Sequence, residues 1–422
     1  MPHLFHWMER MPHWGAGWAR GGVAGIYYDP LPMASPSHRV YLHIGLPKTG
    51  TTSLQALMWH HREAMAADGV LYPGAERGEQ HRAIIDVHNT RYKAWNEERV
   101  PGAFERVVAE LENTDKPASV FSTELMAPAS PEEAQQVLSA LSFAEVHVVC
   151  TVRDFARQVP SVWQENVKTR HRTTYDAFLG ALRSGELNGI TRPFWDFQDL
   201  PRVLRTWGGT LPPERVHVVT VPPRGASSRL LWERFAPVVG LDPENYSTEV
   251  PQENFSLGMV ETELLRRINV ALDKDFPWMR YATTVKDTFA AKILSRLPDP
   301  SPIRVPAEDY PWICETAQRF IDDIRDRGYH VVGDLDDLMP APPREGEPEP
   351  STMPADSELL AVAVKALARY LQFRAAPRAA PPSAVPAPVR RLSHTLRGLS
   401  EQYPQLMTAR RIYSKAKSQL RR

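Results

Sequence analysis

Two cysteines in 422 residues, Cys150 and Cys314, are too few for a disulfide framework, and their separation fits no metal-ligand spacing. The histidines fall into neither an HxH nor an HExxH pattern, so no metal is expected. No apolar run is long enough to cross a bilayer. The opening MPHLFHWMERMPHWGAGWARGG lacks the continuous apolar core of a secretory signal. Reduced thiols, Cys150 in a strand and Cys314 in a helix, and a cytoplasmic location are the expectations that follow. Net charge is also absent, at zero overall, and no nucleic-acid partner is expected.

That zero conceals an uneven distribution. From Lys365 onward there are thirteen Lys/Arg against one acid, Glu401, so the end is near +12 and the remainder near −12. A basic end of this kind is a candidate for contact with a membrane surface, or is simply solvated. Residues 340–356 form a Pro/Glu-rich linker and 375–389 an Ala/Pro-rich one. Between them, 357–374 reads as an amphipathic helix with Leu360, Val364, Leu367 and Leu371 on one stripe, a face that needs the domain, a partner or a membrane to cover it. Residues 390–422 are the basic tail. Residues 1–36, rich in Trp, His and Gly without a period, read as a leader or an extension upstream of a start at Met33. The remaining span, 37–339, with 42% hydrophobic residues in the whole chain, is sized for one large core.

Within that span the segment YLHIGLPKTGTTSLQ, Tyr41 to Gln55, has the most to say. Arg39 to Ile44 reads as a strand, and Gly45, Pro47 and Gly50 punctuate a tight turn. From Thr51 the spacing becomes helical, placing Leu54, Leu57, Met58 and Met65 on one face up to Asp68-Gly69. A helix start after a Gly-rich turn offers open amides and a positive dipole end to an anion. The nucleotide-triphosphate loop G-x-x-x-x-G-K-[ST] carries its lysine after the second glycine. Here Thr51 occupies that place and the lysine is earlier, at Lys48.

Two further strands end in chemistry. Glu145 to Val152 is followed directly by Arg153, and Ser161 comes eight positions later on the helical FARQVPSVWQENVK. A guanidinium fork with one hydroxyl is suited to a phosphate. Ala118 to Ser122 leads into Thr123-Glu124-Leu125, at the strand end where open α/β sheets place ligands. Glu124 is a candidate for contact with a ligand there, expected to have its pKa raised by burial. Capping of a helix over Pro131–Leu141, or pairing with an arginine, is the alternative for it. His43 reads as a packed core histidine, and His81, after GERGEQ in an apparent loop, as a residue that helps bind an acceptor.

PKTGTTSLQ resembles the 5′-phosphosulfate loop of sulfotransferases that use 3′-phosphoadenosine 5′-phosphosulfate (PAPS), and Arg153 with Ser161 resembles their 3′-phosphate pair. The resemblance covers roughly Arg39 to Leu338. It implies an α/β, three-layer, P-loop-like fold with a central parallel sheet flanked by helices, plus a helical C-terminal extension. It implies a transferase of the bacterial or carbohydrate-type branch, moving a sulfuryl group from PAPS to a hydroxyl of a sugar, glycolipid or small metabolite and leaving 3′,5′-ADP. Lys48, Thr49, Gly50, Thr51, Thr52, Ser53, Arg153 and Ser161 would hold the donor, with Lys48 and Glu124 catalytic, Glu124 as the general base ahead of its rivals His43 and His81, and His81 on the acceptor. Cytosolic members carry a tryptophan where this chain has Ser53, and their late Arg-Lys-Gly element has no match here. A P-loop kinase and a non-catalytic nucleotide-binding protein are the rival classes. Strands near 40, 120, 148 and 218 separated by helical stretches call for a parallel sheet, and the helices after Ser256 are expected to shape the acceptor pocket.

Overall fold

The computed structural model describes residues 38–88, 91, 97–250, 255–298, 300–341 and 353–375. The leader, most of the Pro/Glu linker, the Ala/Pro linker and the basic tail lie outside the described residues.

The chain divides into two compact units. The larger runs through residues 1–167, 173–255 and 303–353 and is built on six strands, β1 (Arg39–His43), β2 (Val70–Leu71), β3 (Ala118–Ser122), β4 (Glu145–Val152), β5 (Val216–Thr220) and β6 (His330–Val332). All pair in parallel in the order β2-β3-β1-β4-β5-β6. Each of the four strands read from sequence is in place. β2 and β6, two and three residues long, carry too short a pattern to be read.

Helices connect the strands: α1 (Thr51–His60), α2 (Arg62–Ala67), α3 (Glu79–Val87), α4 (Ala103–Glu112), α5 (Pro131–Ala140) and α6 (Phe155–Lys168), then α7 (Tyr175–Arg183), α8 (Thr191–Gln198), α9 (Leu200–Gly208) and α10 (Leu230–Val238). The helix expected to run unbroken to Asp68 is interrupted at His61, between α1 and α2.

Near-continuous apolar strands are what a sheet covered on both faces requires. Tyr41, Val120, Val149 and Val219 pack under Leu54, Leu57, Met58 and Met65 of α1 and α2 and under Trp232 and Phe235 of α10. The alternate residues Leu42, Phe121, Val148 and Val218 are fully buried too, and α9 meets β4. Trp207 on α9 is fully buried and anchors its indole N–H on the Met126 carbonyl at 3.0 Å. α5 begins with a capping box, the Ser130 hydroxyl accepting from the Glu133 amide while Glu133 accepts from the Ser130 amide.

The smaller unit comprises the described residues of 168–172, 256–302 and 354–375. It contains α11 (Met259–Ala271), α12 (Trp278–Tyr281) and a twelve-residue π-helix, Ala282–Ile293. α13 (Tyr310–Arg327) belongs to the larger unit and ends at Gly328, φ +64°, as the sequence anticipates. α14 (Asp356–Ala375) belongs to the smaller one and packs on α11 and the π-helix. Its buried positions are Leu359 and Ala366, while Leu360, Val364, Leu367 and Leu371 are 57–66% exposed. The unit therefore holds α14 by a different face from the stripe read in the sequence.

Candidate functional site

The chain leaves β1 to build β2 and β3 on one side and β4 on the other, so the loop after β1 opens at a switch point of the sheet. Crevices outside the C-terminal ends of strands at such points are where open α/β sheets bind ligands. β1 pairing continues into this loop, with Leu46 N–H on Thr151 O at 2.8 Å and Thr151 N–H on Gly45 O at 2.6 Å. Gly45 (φ +107°), Lys48 (φ +70°) and Gly50 (φ +91°) then turn the backbone through the left-handed region. A non-glycine residue held there, as Lys48 is, costs on the order of 1 kcal/mol and is a mark of functional loops.

What the turn leaves is a run of open amides. Among the described residues, the backbone N–H groups of Lys48, Thr49, Gly50, Thr51 and Thr52 have no hydrogen-bond acceptor, and no side chain caps α1. The Thr49 hydroxyl is turned inside, donating to Leu46 O at 2.6 Å and lying 2.6 Å from Thr151 Oγ1. Thr51 is buried as well, whereas Thr52 is exposed and Ser53 half-buried. Lys48 Nζ lies 2.9 Å from Glu165 Oε2 on α6.

Arg153, at the end of β4, joins this loop directly. Its Nη1 donates to Lys48 O at 3.0 Å and lies 3.5 Å from Ser161 Oγ. Ser161 in turn donates to Arg157 O at 2.8 Å. The Nε–H of Arg153 is buried without an acceptor among the described residues. Burial, with Arg157 and Arg224 nearby, pulls the guanidinium pKa down to about 10 against the attraction of Asp154. A desolvated cation with an open donor is a costly arrangement that an anion would relieve.

Glu124 follows β3 in a short 3-10 turn, Glu124–Met126, whose cap is Thr123. Gly45 leaves room for it: a Cβ on Gly45 would fall 3.2 Å from Glu124 Cβ. Glu124 Oε2 accepts from Gln55 Nε2 at 3.0 Å and lies 3.7 Å from His81 Nε2. It does not cap α5, which has its own capping box, and among the described residues it pairs with no arginine. Its pKa moves opposite to expectation. Burial raises it, but the His81 and Gln55 contacts and its own backbone amide outweigh burial and bring it to about 2. His81 is not in a loop either: Gly78, at φ +89°, ends the turn and His81 sits in the first turn of α3.

These residues face a cavity of about 340 Å³. Thr52, Gln55 and Trp59 of α1 line it with Tyr72, His81 and Glu124, and charged side chains such as Glu76 and Arg82 line it as well. All of its lining falls between residues 52 and 124. His43 is fully buried, tied to Ser122 Oγ at 2.8 Å and Thr151 Oγ1 at 3.2 Å, and burial lowers its pKa to about 4. It is a neutral brace between β3 and β4, not a base in the cavity.

No family model, curated protein or solved structure matches this chain. Among the described residues no three His, Cys, Asp or Glu side chains group as metal ligands, and no helix is long and apolar enough to cross a membrane.

Sequence reading missed Gln55 and Glu165. Gln55 is four residues from Thr51, one helical turn along the same face, so helical spacing carried a signal for it. Glu165 meets Lys48 across 117 positions, and nothing local announces that pair.

Proposed function

We propose that this chain is a sulfotransferase that moves a sulfuryl group from PAPS to an acceptor hydroxyl. The observation that carries the reading is the bond from Arg153 Nη1 to Lys48 O, which joins the two phosphate-type motifs in one site beside an open Arg153 Nε–H. Five open amides at the start of α1 suit the 5′-phosphosulfate, and Arg153 with Ser161 suits the 3′-phosphate. Both parts of the donor are anions, and each donor set holds open N–H groups, the loop amides on one side and Arg153 Nε–H on the other.

In this reading the acceptor oxygen attacks sulfur as the bond from sulfur to the bridging oxygen breaks. The electron pair stays on the phosphate of the departing 3′,5′-ADP. Lys48, released from Glu165 or shared with it, and the helix amides neutralise the charge that develops there. The acceptor's proton must go to a base. A carboxylate held at about 2 is too weak to take it alone. Glu124 serves better by orienting His81, so the imidazole receives the proton and Glu124 acts through it. Positioning and electrostatics supply most of the acceleration in such loose transfers. The acceptor occupies the cavity of Thr52, Trp59 and Tyr72, whose aromatic walls suit a ring-bearing alcohol.

Calorimetry with 3′,5′-ADP tests the reading. Wild type binds, Lys48→Ala and Arg153→Gln weaken binding, and 5′-AMP binds no more tightly to wild type than to Arg153→Gln. Tighter binding of ATP than of 3′,5′-ADP would favour a kinase and overturn the proposal, as would no binding at all. Nucleotide binding without transfer to any hydroxyl acceptor would point to the non-catalytic class.

A further inference from the structure

The 3′-phosphate of the donor is under-served by the two residues assigned to it. A phosphate monoester carries about two negative charges near neutral pH. Ser161 spends its hydroxyl proton on Arg157 O, and Arg153 spends an Nη1–H on Lys48 O. Arg157 is taken as well, its Nε held by the Asp154 carboxylate. Arg153 is left as a single guanidinium against that charge.

The neighbouring strand brings a second one. β5 pairs with β4, Val152 opposite Thr220, and the ladder continues past both strands where Val221 N–H donates to Val152 O at 2.7 Å. Arg157 Nη1 then donates to Pro222 O at 3.0 Å, tying the start of the connection to α6. At its far end the connection enters α10, which sits close on the phosphate-type loop: a Cβ on Gly50 would fall 2.5 Å from Leu231 Cδ2. Residues 223–228 thus form an exposed strap anchored at both ends on elements of the donor site. A Cβ on Gly225 would meet no atom within 4 Å, so nothing is packed over the turn.

Arg224 is the one cation of that strap. It is exposed and makes no hydrogen bond or ion pair among the described residues. Its charge is nevertheless felt at the Arg153 guanidinium and at the Tyr310 phenol at the start of α13. Two like charges facing one another with no carboxylate between them repel, and an anion shared between them reverses the sign of the interaction. We propose that Arg224 is a donor-binding residue that grips the 3′-phosphate together with Arg153, one guanidinium from the end of β4 and one from the strap after β5. The identity of the anion rests on the sulfotransferase reading above. Each guanidinium offers a fork of N–H groups to phosphate oxygens, Arg153 as the buried half of the clamp and Arg224 as the exposed half.

Calorimetry on the full chain with 3′,5′-ADP and with 5′-AMP tests this. Arg224→Gln is expected to weaken 3′,5′-ADP about tenfold, the loss of one charge-assisted bond, and to leave 5′-AMP unchanged. Arg224→Lys, which keeps the charge without the fork, falls between the two. Added salt narrows the gap between wild type and Arg224→Gln, because the lost charge is an exposed one. Arg224→Gln melts no lower than wild type, since the change removes a like charge from the surroundings of Arg153. Weaker 3′,5′-ADP binding in Arg153→Gln but not in Arg224→Gln overturns the clamp and leaves the sulfotransferase reading standing. Equal weakening of 3′,5′-ADP and 5′-AMP by Arg224→Gln also overturns it and gives Arg224 to the 5′ side. Failure of wild type to bind 3′,5′-ADP overturns both.

Discussion

Gln55 Nε2 donates to Glu124 Oε2 at 3.0 Å, joining the helix that follows the phosphate-type loop to the carboxylate that follows β3. The same Nε2 is 3.3 Å from Ser122 Oγ. Through this amide, the N-terminal turns of α1 fix the only carboxylate in contact with His81 Nε2 among the described residues.

Gln55→Leu removes a donor from a mostly buried carboxylate, and the Glu124 pKa is expected to rise by about one unit, hydrogen bonds to charged groups being worth about 1.5–3 kcal/mol. Carboxyl carbon shifts followed by NMR against pH check this. The linkage has a definite sign. Glu124 is held at about 2, below its ordinary 4.5, so its stabilisation is present above 4.5 and fades as pH falls toward 2. In Gln55→Leu that acid-side loss is smaller.

Exchange of His81 for Asn separates orientation from proton transfer. If the imidazole receives the proton, His81→Asn lowers kcat by about 10²–10⁴-fold while affinity for 3′,5′-ADP is unchanged. Glu124→Gln loses less rate and alters the pH profile. Equal loss in both, with the profile intact in Glu124→Gln, would return the base to the carboxylate.

Arg153 and Ser161 differ in what they have at stake. Ser161→Ala removes one weak contact and costs about 1 kcal/mol, roughly fivefold in 3′,5′-ADP affinity. Arg153→Gln removes a charged fork and costs about 2–3 kcal/mol in the same titration. Both losses shrink when the ligand lacks a 3′-phosphate.

Gly45→Ala tests the close approach beneath Glu124. The new Cβ would be 3.2 Å from Glu124 Cβ on a backbone at φ +107°. A loss of about 1–3 kcal/mol in denaturant unfolding is expected, with the rest of the sheet intact by circular dichroism.

A row of imidazoles at the other end of the sheet governs behaviour in mild acid. His147 Nε2 meets Glu145 Oε1 at 3.0 Å, His147 Nδ1 meets His217 Nε2 at 2.9 Å, and His217 Nδ1 meets His330 Nδ1 at 2.7 Å. One assignment satisfies all three bonds, with each ring neutral and donating toward Glu145. Protonating His217 would turn its Nδ1 from acceptor to donor and require His330 to change tautomer. Burial, then His147 and His330, lower its pKa to about 4. A depressed histidine gives stability that is complete above its ordinary 6.5 and lost as pH falls to 4, on the order of 3 kcal/mol. His217→Leu is expected to flatten the melting temperature over that window.

How much of this was legible depended on range. The strands at 39, 118, 145 and 216 were readable because each is a run of apolar and β-branched residues between turn signals. The loop was readable because glycine and proline constrain the chain locally. His81 was misplaced because GERGEQ resembles a loop until Gly78 closes the turn and α3 begins. The Glu124 pKa was anticipated in the wrong direction because burial was foreseen from the strand end, and the partners that outweigh it were not.

The sequence by itself determined the α/β character, the positions of the main strands and the Gly-rich turn with Lys48 ahead of its second glycine, since these depend on neighbours a few residues apart. Tertiary structure alone decided that Arg153 meets Lys48 O, that Glu165 pairs with Lys48, that Gln55 and His81 hold Glu124, and which face of α14 is left open. Those contacts join residues separated by up to 117 positions. Only parallel strand pairing and helix packing bring such partners within the few ångströms over which hydrogen bonds and charges act.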